Sequence, residues 1–587
     1  MKSLLLILLS AGVVVAVPAA MGGYPYYMGV AVYAVVLALF GLSVNLTVGY
    51  LGYISFGHAA FFGLGAYASA MLTSYLGMNY WLTLLLAPLP GALLGVLVGF
   101  ASLRVGGAYF AIATLTAAEI LHILVNNLMD LTRGPLGIRV PRPKIEFLAN
   151  LGIDFYQYYL GIGLLVLLLV VAGLRRLLAS PIGRSWAVIK ESAPLAESIG
   201  IATLRSRVLN IALSGAIAGL AGALFVPRTL VVTPELFSSG LSATGLLIAI
   251  LGGKATLIGS ILGGVVFAAL PEALRFIEEY RMAIFALLLL LVVRIQPNGL
   301  AGLMSFRRRA RAPEVATATT SSDLMFKPGE AMEVKGLSKQ FGGLKAVSAV
   351  SLRFEPGETV GLIGPNGAGK TTSLSLISGF LAPSAGEVSF GGKSVSGLAP
   401  HRLARLGLVR TFQHTAICGR LSVFDNVLAA VPNTETVFTA IRGGQGYRER
   451  EARRRGLAQA YLSQVGLSER AADEAGSLPY GDQKLLSIAV ALAAQPKVLL
   501  LDEPAAGLNH TEARALASLL KSLRERGLTI VIVDHNLKMI MEISDRIYVL
   551  NRGESLADGS PQEVRNNPAV IEAYLGTVWN KEGVVHA

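Results

Sequence analysis

Two kinds of patterning divide the 587 residues. In the first half, apolar runs of about 20 residues recur with few charges, the length that crosses a bilayer as a helix. Such runs at 4–20, 29–48, 54–77, 82–101, 108–127, 157–174, 207–226, 241–253, 256–272 and 282–296 predict about ten spans, the pair around 241–272 being the shortest. Beyond residue 331 the pattern changes. Short apolar runs such as "ETVGLI", "VLLLDEP" and "TIVIVDH" are separated by amphipathic stretches. Continuous short runs of this kind predict buried parallel strands in an α/β fold. Between the two halves lies "APEVATATTSSDLMFKP", residues 312–328, whose Ala, Thr, Ser and Pro predict a flexible linker.

Charge orients this arrangement. Ten spans place both ends on one side, and the loop 175–206 with Arg175, Arg176, Arg184, Lys190 and Arg205 falls on that side. Arg104, Lys254 and the run "FRRRAR" at 306–311 fall there too. Positive residues collect on the cytoplasmic face, which also accounts for the net charge of +13. Nucleic-acid binding is disfavoured, because the basic residues are not interleaved with aromatics on one face. The loop 128–156, with Arg133, Arg139, Arg142 and Lys144, goes against this rule. A hydrophobic content of 53% with only 15% charge fits a chain partly in lipid. The start, "MKSLLLILLSAGVVVAVPAA", reads either as a secretory signal or as a first membrane helix. The second reading is preferred because further spans follow at once. One cysteine, Cys418, excludes an internal disulfide.

The second half carries phosphate chemistry. "GPNGAGKTT" runs through Gly364, Pro365, Asn366, Gly367, Ala368, Gly369, Lys370, Thr371 and Thr372. It follows an apolar strand and opens a helix, the context that marks a phosphate loop. Its backbone N–H groups and helix N-terminus favour phosphate. Lys370 is placed to reach the β and γ phosphates of ATP, and Thr371 to hold Mg²⁺. "VLLLDEP" ends in Asp502, a candidate Mg²⁺ ligand, and Glu503, a candidate base for the attacking water. His535 ends "TIVIVDH" as a candidate γ-phosphate contact. Gln413 in "VRTFQH" falls between the phosphate loop and a helical insert.

Taken together, residues 331–578 resemble the nucleotide-binding domain of an ATP-binding cassette transporter. The resemblance implies that Phe341 stacks on adenine and that Gln413 joins the metal to the membrane domain. It implies a signature at Leu478, Pro479, Tyr480, Gly481, Asp482 and Gln483, and an exchange segment "AAGLN" at 505–509. Only Leu478 and Gly481 match the usual Leu-Ser-Gly-Gly-Gln, and Val490 stands where many relatives have Arg. In this superfamily the signature serves ATP bound to the partner domain. The site completed by Pro479 and Gly481 is therefore expected to rely on backbone donors. The stretch "NPAVIEAYLG", 567–576, resembles the tail of the ATPases of branched-chain amino-acid importers.

The membrane half resembles the permease of the same importers, through "SVNLTVGYLGYISFGHAAFFGLGAY", "YFAIATLTAAEI" and "SPIGRSWAVIKESAPLAESIGI". Its small residues allow close helix packing. Asn45, Ser55 and His58 hint at a polar pathway. Glu119 and His122 share a helix face and either pair or line a cavity. "RSWAVIKESAPLAESIG" predicts a short helix on the cytoplasmic face. By the resemblance it docks in an ATPase groove and couples the domains through Glu191, Ala196, Glu197 and Gly200.

The expected architecture is thus a polytopic α-helical membrane domain fused to an α/β P-loop ABC-type nucleotide-binding domain. Its parts are a permease over 1–305, a cytoplasmic linker over 306–330, the ATPase over 331–578 and a tail over 579–587. The expected function is ATP-driven import of branched-chain or related amino acids across a bacterial inner membrane. It requires a second permease, a second ATPase and an extracytoplasmic binding protein. Urea, short amides or other small solutes are the alternative cargo. An exporter is disfavoured by the short cytoplasmic loops, and a tethered ATPase sensor by the intact Glu503.

Overall fold

The computed structural model describes residues 24–101, 107–150, 152–274, 299–304, 329–413 and 416–575, with isolated positions elsewhere. The predicted span 4–20, the basic run 306–311, the linker apart from Phe326, Gly329 and Glu330, and the tail 579–587 lie outside the described residues. The span 282–296 is described only at scattered positions. Two compact units are present. One joins Met1–Lys190 to Leu204–Arg308, and the other joins Glu191–Thr203 to Arg309–Ala587.

The first unit is helical. Its helices include α1 (Pro25–Asn45), α2 (His58–Ser74), α3 (Tyr80–Leu86), α4 (Pro88–Ala101) and α5 (Ala108–Asn127). They continue with α6 (Phe155–Leu178), α7 (Pro181–Glu191), α9 (Thr203–Thr229), α10 (Ser239–Gly252) and α11 (Leu257–Ala273), while α8 (Ala193–Ser198) belongs to the second unit. Five stretches among the described residues are long and apolar enough to cross a membrane: Pro25–Leu51, Tyr80–Ala101, Ala108–Asn127, Phe155–Leu178 and Thr203–Thr229. The 14-residue α10 and 17-residue α11 occupy the short pair. At 1.5 Å per residue they reach only about 21 and 26 Å. They pack on α1, which also meets α6.

Close packing follows from small residues. A Cβ on Gly91 of α4 would lie 2.2 Å from the Gly215 carbonyl oxygen of α9, so the two backbones touch where only hydrogen fits. The predicted span at 54–77 is shorter than its apolar run. The chain leaves α1 through a π-helix, Leu46–Leu51, and turns at Gly52 with φ 84°, and α2 starts only at His58.

Asn45 is fully engaged at this bend. Its Nδ2 donates to the Thr256 carbonyl at 2.9 Å and the Ser260 hydroxyl at 2.8 Å. Its Oδ1 accepts from the Ala255 N–H at 2.9 Å. The side chain therefore ties α1 to the turn between α10 and α11. Ser55 accepts from the Gly57 N–H, and His58 Nε2 meets Ser214 Oγ at 2.9 Å. Glu119 and His122 pair with each other at 3.5 Å on α5. Replacing Asn45 with Ala strands three partners, buried at Ser260 and half-buried at Ala255 and Thr256. At roughly 1 kcal/mol per lost bond, the membrane unit should lose about 2–3 kcal/mol. Thermal unfolding of the full chain in detergent checks this, and an unchanged midpoint would show that the turn holds itself.

The predicted short helix over 184–200 is two helices. Ser192 is extended, with φ −153°, and its hydroxyl caps the Leu195 N–H. Pro194 sits in the first turn of α8, a position that suits its missing N–H and its fixed φ.

The second unit holds two sheets. Strands β1 (Met332–Phe341), β2 (Leu344–Phe354), β4 (Ala385–Phe390) and β5 (Lys393–Ser394) form an antiparallel sheet in the order β2-β1-β4-β5. A six-stranded sheet contains β3 (Thr359–Ile363), β6 (Leu408–Arg410), β7 (Val498–Asp502), β8 (Thr529–Val533), β9 (Arg546–Asn551) and β10 (Glu554–Gly559). Its order is β10-β9-β3-β8-β7-β6, and only the β9–β10 pairing is antiparallel. Every residue of β3, β7 and β8 is buried, as their unbroken apolar runs require. Both β3 and β7 pair with β8 in parallel, so their C-terminal ends open on one edge of the sheet.

Candidate functional site

That edge carries the phosphate loop. β3 ends at Ile363, and α12 (Lys370–Ile377) begins seven residues later. Gly369 has φ 94°, and a Cβ there would lie 2.6 Å from the Ala346 carbonyl, so the loop needs glycine on two counts. Pro365, Asn366, Gly367 and Ala368 complete the turn, with Asn366 and Gly367 exposed and Ala368 buried. Lys370 is buried and donates to the carbonyls of Gly364 at 2.7 Å and Pro365 at 3.0 Å. Burial holds its amine below the usual lysine range, while the Glu503 and Asp502 carboxylates pull the other way. Thr371 is exposed and Thr372 half-buried at the start of α12.

Asp502 closes β7. Its Oδ2 accepts from Arg410 Nη2 at 2.9 Å, and its buried Oδ1 has no hydrogen-bond partner among the described residues. Burial pushes its carboxyl above the usual carboxylate range, against the hydrogen bond and charge of Arg410. A buried, unpartnered carboxylate oxygen beside a phosphate loop fits a hard divalent cation, which takes oxygen ligands.

Glu503 follows in the left-handed region with φ 50°. A non-glycine residue there is strained, a feature that clusters at functional sites. Its Oε1 meets His535 Nε2 at 2.8 Å, and its Oε2 accepts from Gln413 Nε2 at 2.8 Å. The structure thus brings Gln413, Glu503 and His535 together at the strand ends.

Three supporting residues escaped the sequence reading. Arg410 lies in an apolar strand, where a lone Arg signals a buried acidic partner. Lys484 is buried, and its Nζ donates to the backbone carbonyls of Gln413 at 2.9 Å and Glu503 at 3.3 Å. Asp534 accepts from the Ala505 N–H at 2.8 Å and so fixes the start of the "AAGLN" segment.

The signature residues open a helix of their own. Pro479 caps α14 (Tyr480–Ala493) at its N-terminus, and its carbonyl accepts from the Gln483 N–H at 3.0 Å. Gln483 donates to the Leu478 carbonyl, Asp482 pairs with Arg470 at 2.7 Å, and Tyr480 is largely exposed. A Cβ on Gly481 would crowd Glu512 Oε1 at 2.7 Å. The same helix carries Lys484, so the signature is joined to Gln413 and Glu503 through one turn of α14. Pro479→Ser restores a hydroxyl at a cap position that favours it. ATP hydrolysis should be preserved or raised, and a large loss in a phosphate-release assay would show that the proline shapes the site.

Phe341 ends β1 with 47% exposure, and the Lys339 Nζ lies 5.3 Å from its ring centre. Of the segment 191–203, Leu195, Ala196, Ser198, Ile199, Ala202 and Thr203 are buried, and Glu191 is exposed. Glu197 accepts from the Thr203 hydroxyl at 2.6 Å. The Gly200 carbonyl accepts from Arg405 Nε at 2.9 Å, which fastens the segment to α13 (Pro400–Leu406).

Three family models match this chain. Residues 26–293 match the permease component of a branched-chain amino acid transport system. Residues 347–506 match the ABC transporter model, and 554–579 match the branched-chain amino acid ATP-binding cassette transporter model. The high-affinity branched-chain amino acid transport ATP-binding protein LivG of Salmonella typhimurium is 43% identical over 42% of this chain and 97% of its own length. The permease protein LivM of the same organism is 35% identical over 46% of this chain and 69% of its own. A nucleotide-free ATP-binding cassette from an ABC transporter matches over 42% of this chain and 99% of its own, at 30% identity and a TM-score of 0.38. With one relative matching each half, the chain belongs to the branched-chain amino acid ABC transporter family and carries a permease domain and an ATP-hydrolysing cassette in one polypeptide.

Proposed function

We infer that this chain is the fused permease–ATPase subunit of an importer that moves branched-chain or related amino acids across a bacterial inner membrane. The observation that carries the reading is the Glu503 carboxylate at the end of β7, held on one oxygen by Gln413 and on the other by His535. That geometry suits phosphoryl transfer to water, which depends on positioning and charge.

Lys370 and the backbone of Gly364 to Thr372 bind the ATP phosphates, and Phe341 stacks on the adenine. Thr371, Gln413 and the free oxygen of Asp502 would hold Mg²⁺, which neutralises phosphate charge when bound. Glu503 orients the attacking water and takes its proton. His535 senses the γ-phosphate.

One chain supplies one permease and one cassette. A second permease and a second cassette complete the transporter, and an extracytoplasmic binding protein delivers the solute. About ten spans over 1–305 and a linker over 306–330 place the cassette, 331–578, in the cytosol. The helix α8 couples the halves through Ala196, Glu197 and Gly200, with Glu191 at its entry.

The test is uptake of labelled leucine, isoleucine and valine into proteoliposomes holding the assembled transporter, ATP and the binding protein. ATP-dependent accumulation of at least one is expected. Undiminished hydrolysis with no uptake of the three, but uptake of urea or a short amide, would overturn the assigned cargo.

A further inference from the structure

Arg410 ends β6, three residues before Gln413. Its side chain is 4% exposed and that of Asp502, its partner, 2%. Nη2 donates to Asp502 Oδ2 at 2.9 Å. Nη1 donates to Ser375 Oγ at 2.9 Å and Ser378 Oγ at 3.3 Å, and both serines lie on α12. The rings of Phe412 and Phe380 flank the guanidinium, their centres 5.3 and 5.9 Å away.

Stability alone is a poor reason for this arrangement. A buried ion pair contributes little more than apolar residues of the same volume, because both charges lose their water. Geometry is a better reason. The arginine fork is rigid and planar, so one arm fixes the Asp502 carboxylate while the other grips the helix that the phosphate loop opens. The consequence is specific. One Asp502 oxygen is occupied, and the other, Oδ1, is left buried with no partner among the described residues. Groups that orient a metal ligand from behind commonly set metal affinity.

We propose that Arg410 is a positioning residue for hydrolysis: it holds Asp502 so that Oδ1 faces the divalent cation that enters with ATP, at a distance fixed relative to α12. This rests on the reading above that Asp502 holds the cation. Lysine at 410 keeps the charge but cannot grip Asp502 and the two serines together.

The experiment uses the full chain assembled with its partner subunits, with Mn²⁺ as the probe. Mn²⁺ affinity in the presence of ADP is read by electron paramagnetic resonance, and ADP binding is read separately in chelator. Arg410→Lys should weaken Mn²⁺ by roughly ten- to a hundredfold and leave metal-free ADP binding unchanged. The double change Ser375→Ala and Ser378→Ala, which keeps the ion pair, should weaken Mn²⁺ by a smaller factor and decides the matter if Arg410→Lys does not fold. Asp502→Asn is the reference. Wild-type Mn²⁺ affinity in Arg410→Lys with a loss in Asp502→Asn overturns the role of Arg410 alone. No loss in either overturns the assignment of Asp502. An equal loss of metal-free ADP binding in Arg410→Lys would reduce Arg410 to general support of the fold.

Discussion

Glu503→Gln should stop ATP turnover and leave nucleotide binding in place. Glutamine has the same length and can still meet Gln413 and His535, which lie 2.8 Å from the two carboxylate oxygens. What it cannot do is take a proton. A positioned base typically contributes a factor of about 10² to 10⁴, and turnover should fall by about that much. ADP affinity should stay at the wild-type value, because Lys370 and Asp502 are untouched. Phosphate release from the assembled transporter measures the first quantity, and equilibrium binding measures the second. Solute uptake should fall with hydrolysis. Activity within tenfold of wild type would show that another group, with His535 the nearest, takes the proton. A loss confined to binding would place Glu503 in nucleotide affinity instead of chemistry.

The parts of this site that are continuous in sequence were readable there. The phosphate loop is one run of nine residues between a strand and a helix, and Asp502 and Glu503 end an unmistakable buried strand. The parts built from distant pairs were not. Arg410 and Asp502 are 92 positions apart, and Lys484 and Gln413 are 71 apart. An isolated Arg or Lys in an apolar context announces that some partner exists but does not name it. The membrane half shows the same limit. Asn45 in an apolar run suggested a pathway, whereas its bonds to residues 255, 256 and 260 give it a bracing role. The break at Ser192 was available in the proline two residues on, yet the periodicity of the surrounding stretch suggests one continuous helix. The lengths of α10 and α11 follow the apolar runs 241–253 and 256–272, whereas the hold of Asn45 on the turn between them has no local signature.

Ala196→Glu should separate hydrolysis from transport. Ala196 is fully buried in α8, a helix of six residues. So short a helix has almost no stability of its own. It persists because Ser192 caps it, Leu195 and Ile199 are buried beside it, and Arg405 holds the Gly200 carbonyl at 2.9 Å. An unpaired carboxylate in that position costs several kcal/mol to bury, more than these contacts return, so the segment leaves its seat. The catalytic group of Lys370, Asp502, Glu503 and His535 does not include the segment and stays assembled. ATP hydrolysis should therefore continue at no less than about half the wild-type rate, while uptake falls by at least tenfold, the factor that a loss of about 1.4 kcal/mol of coupling produces. Gly200→Val should act in the same direction, because φ is 87° there and a Cβ would come within 3.3 Å of Arg405 Cγ. Glu197→Gln keeps an amide oxygen that can accept from the Thr203 hydroxyl and should leave the segment seated. If uptake and hydrolysis fall together in Ala196→Glu, the segment supports the cassette fold and not the coupling. If both stay at wild-type level, the docked position of α8 has no part in transport.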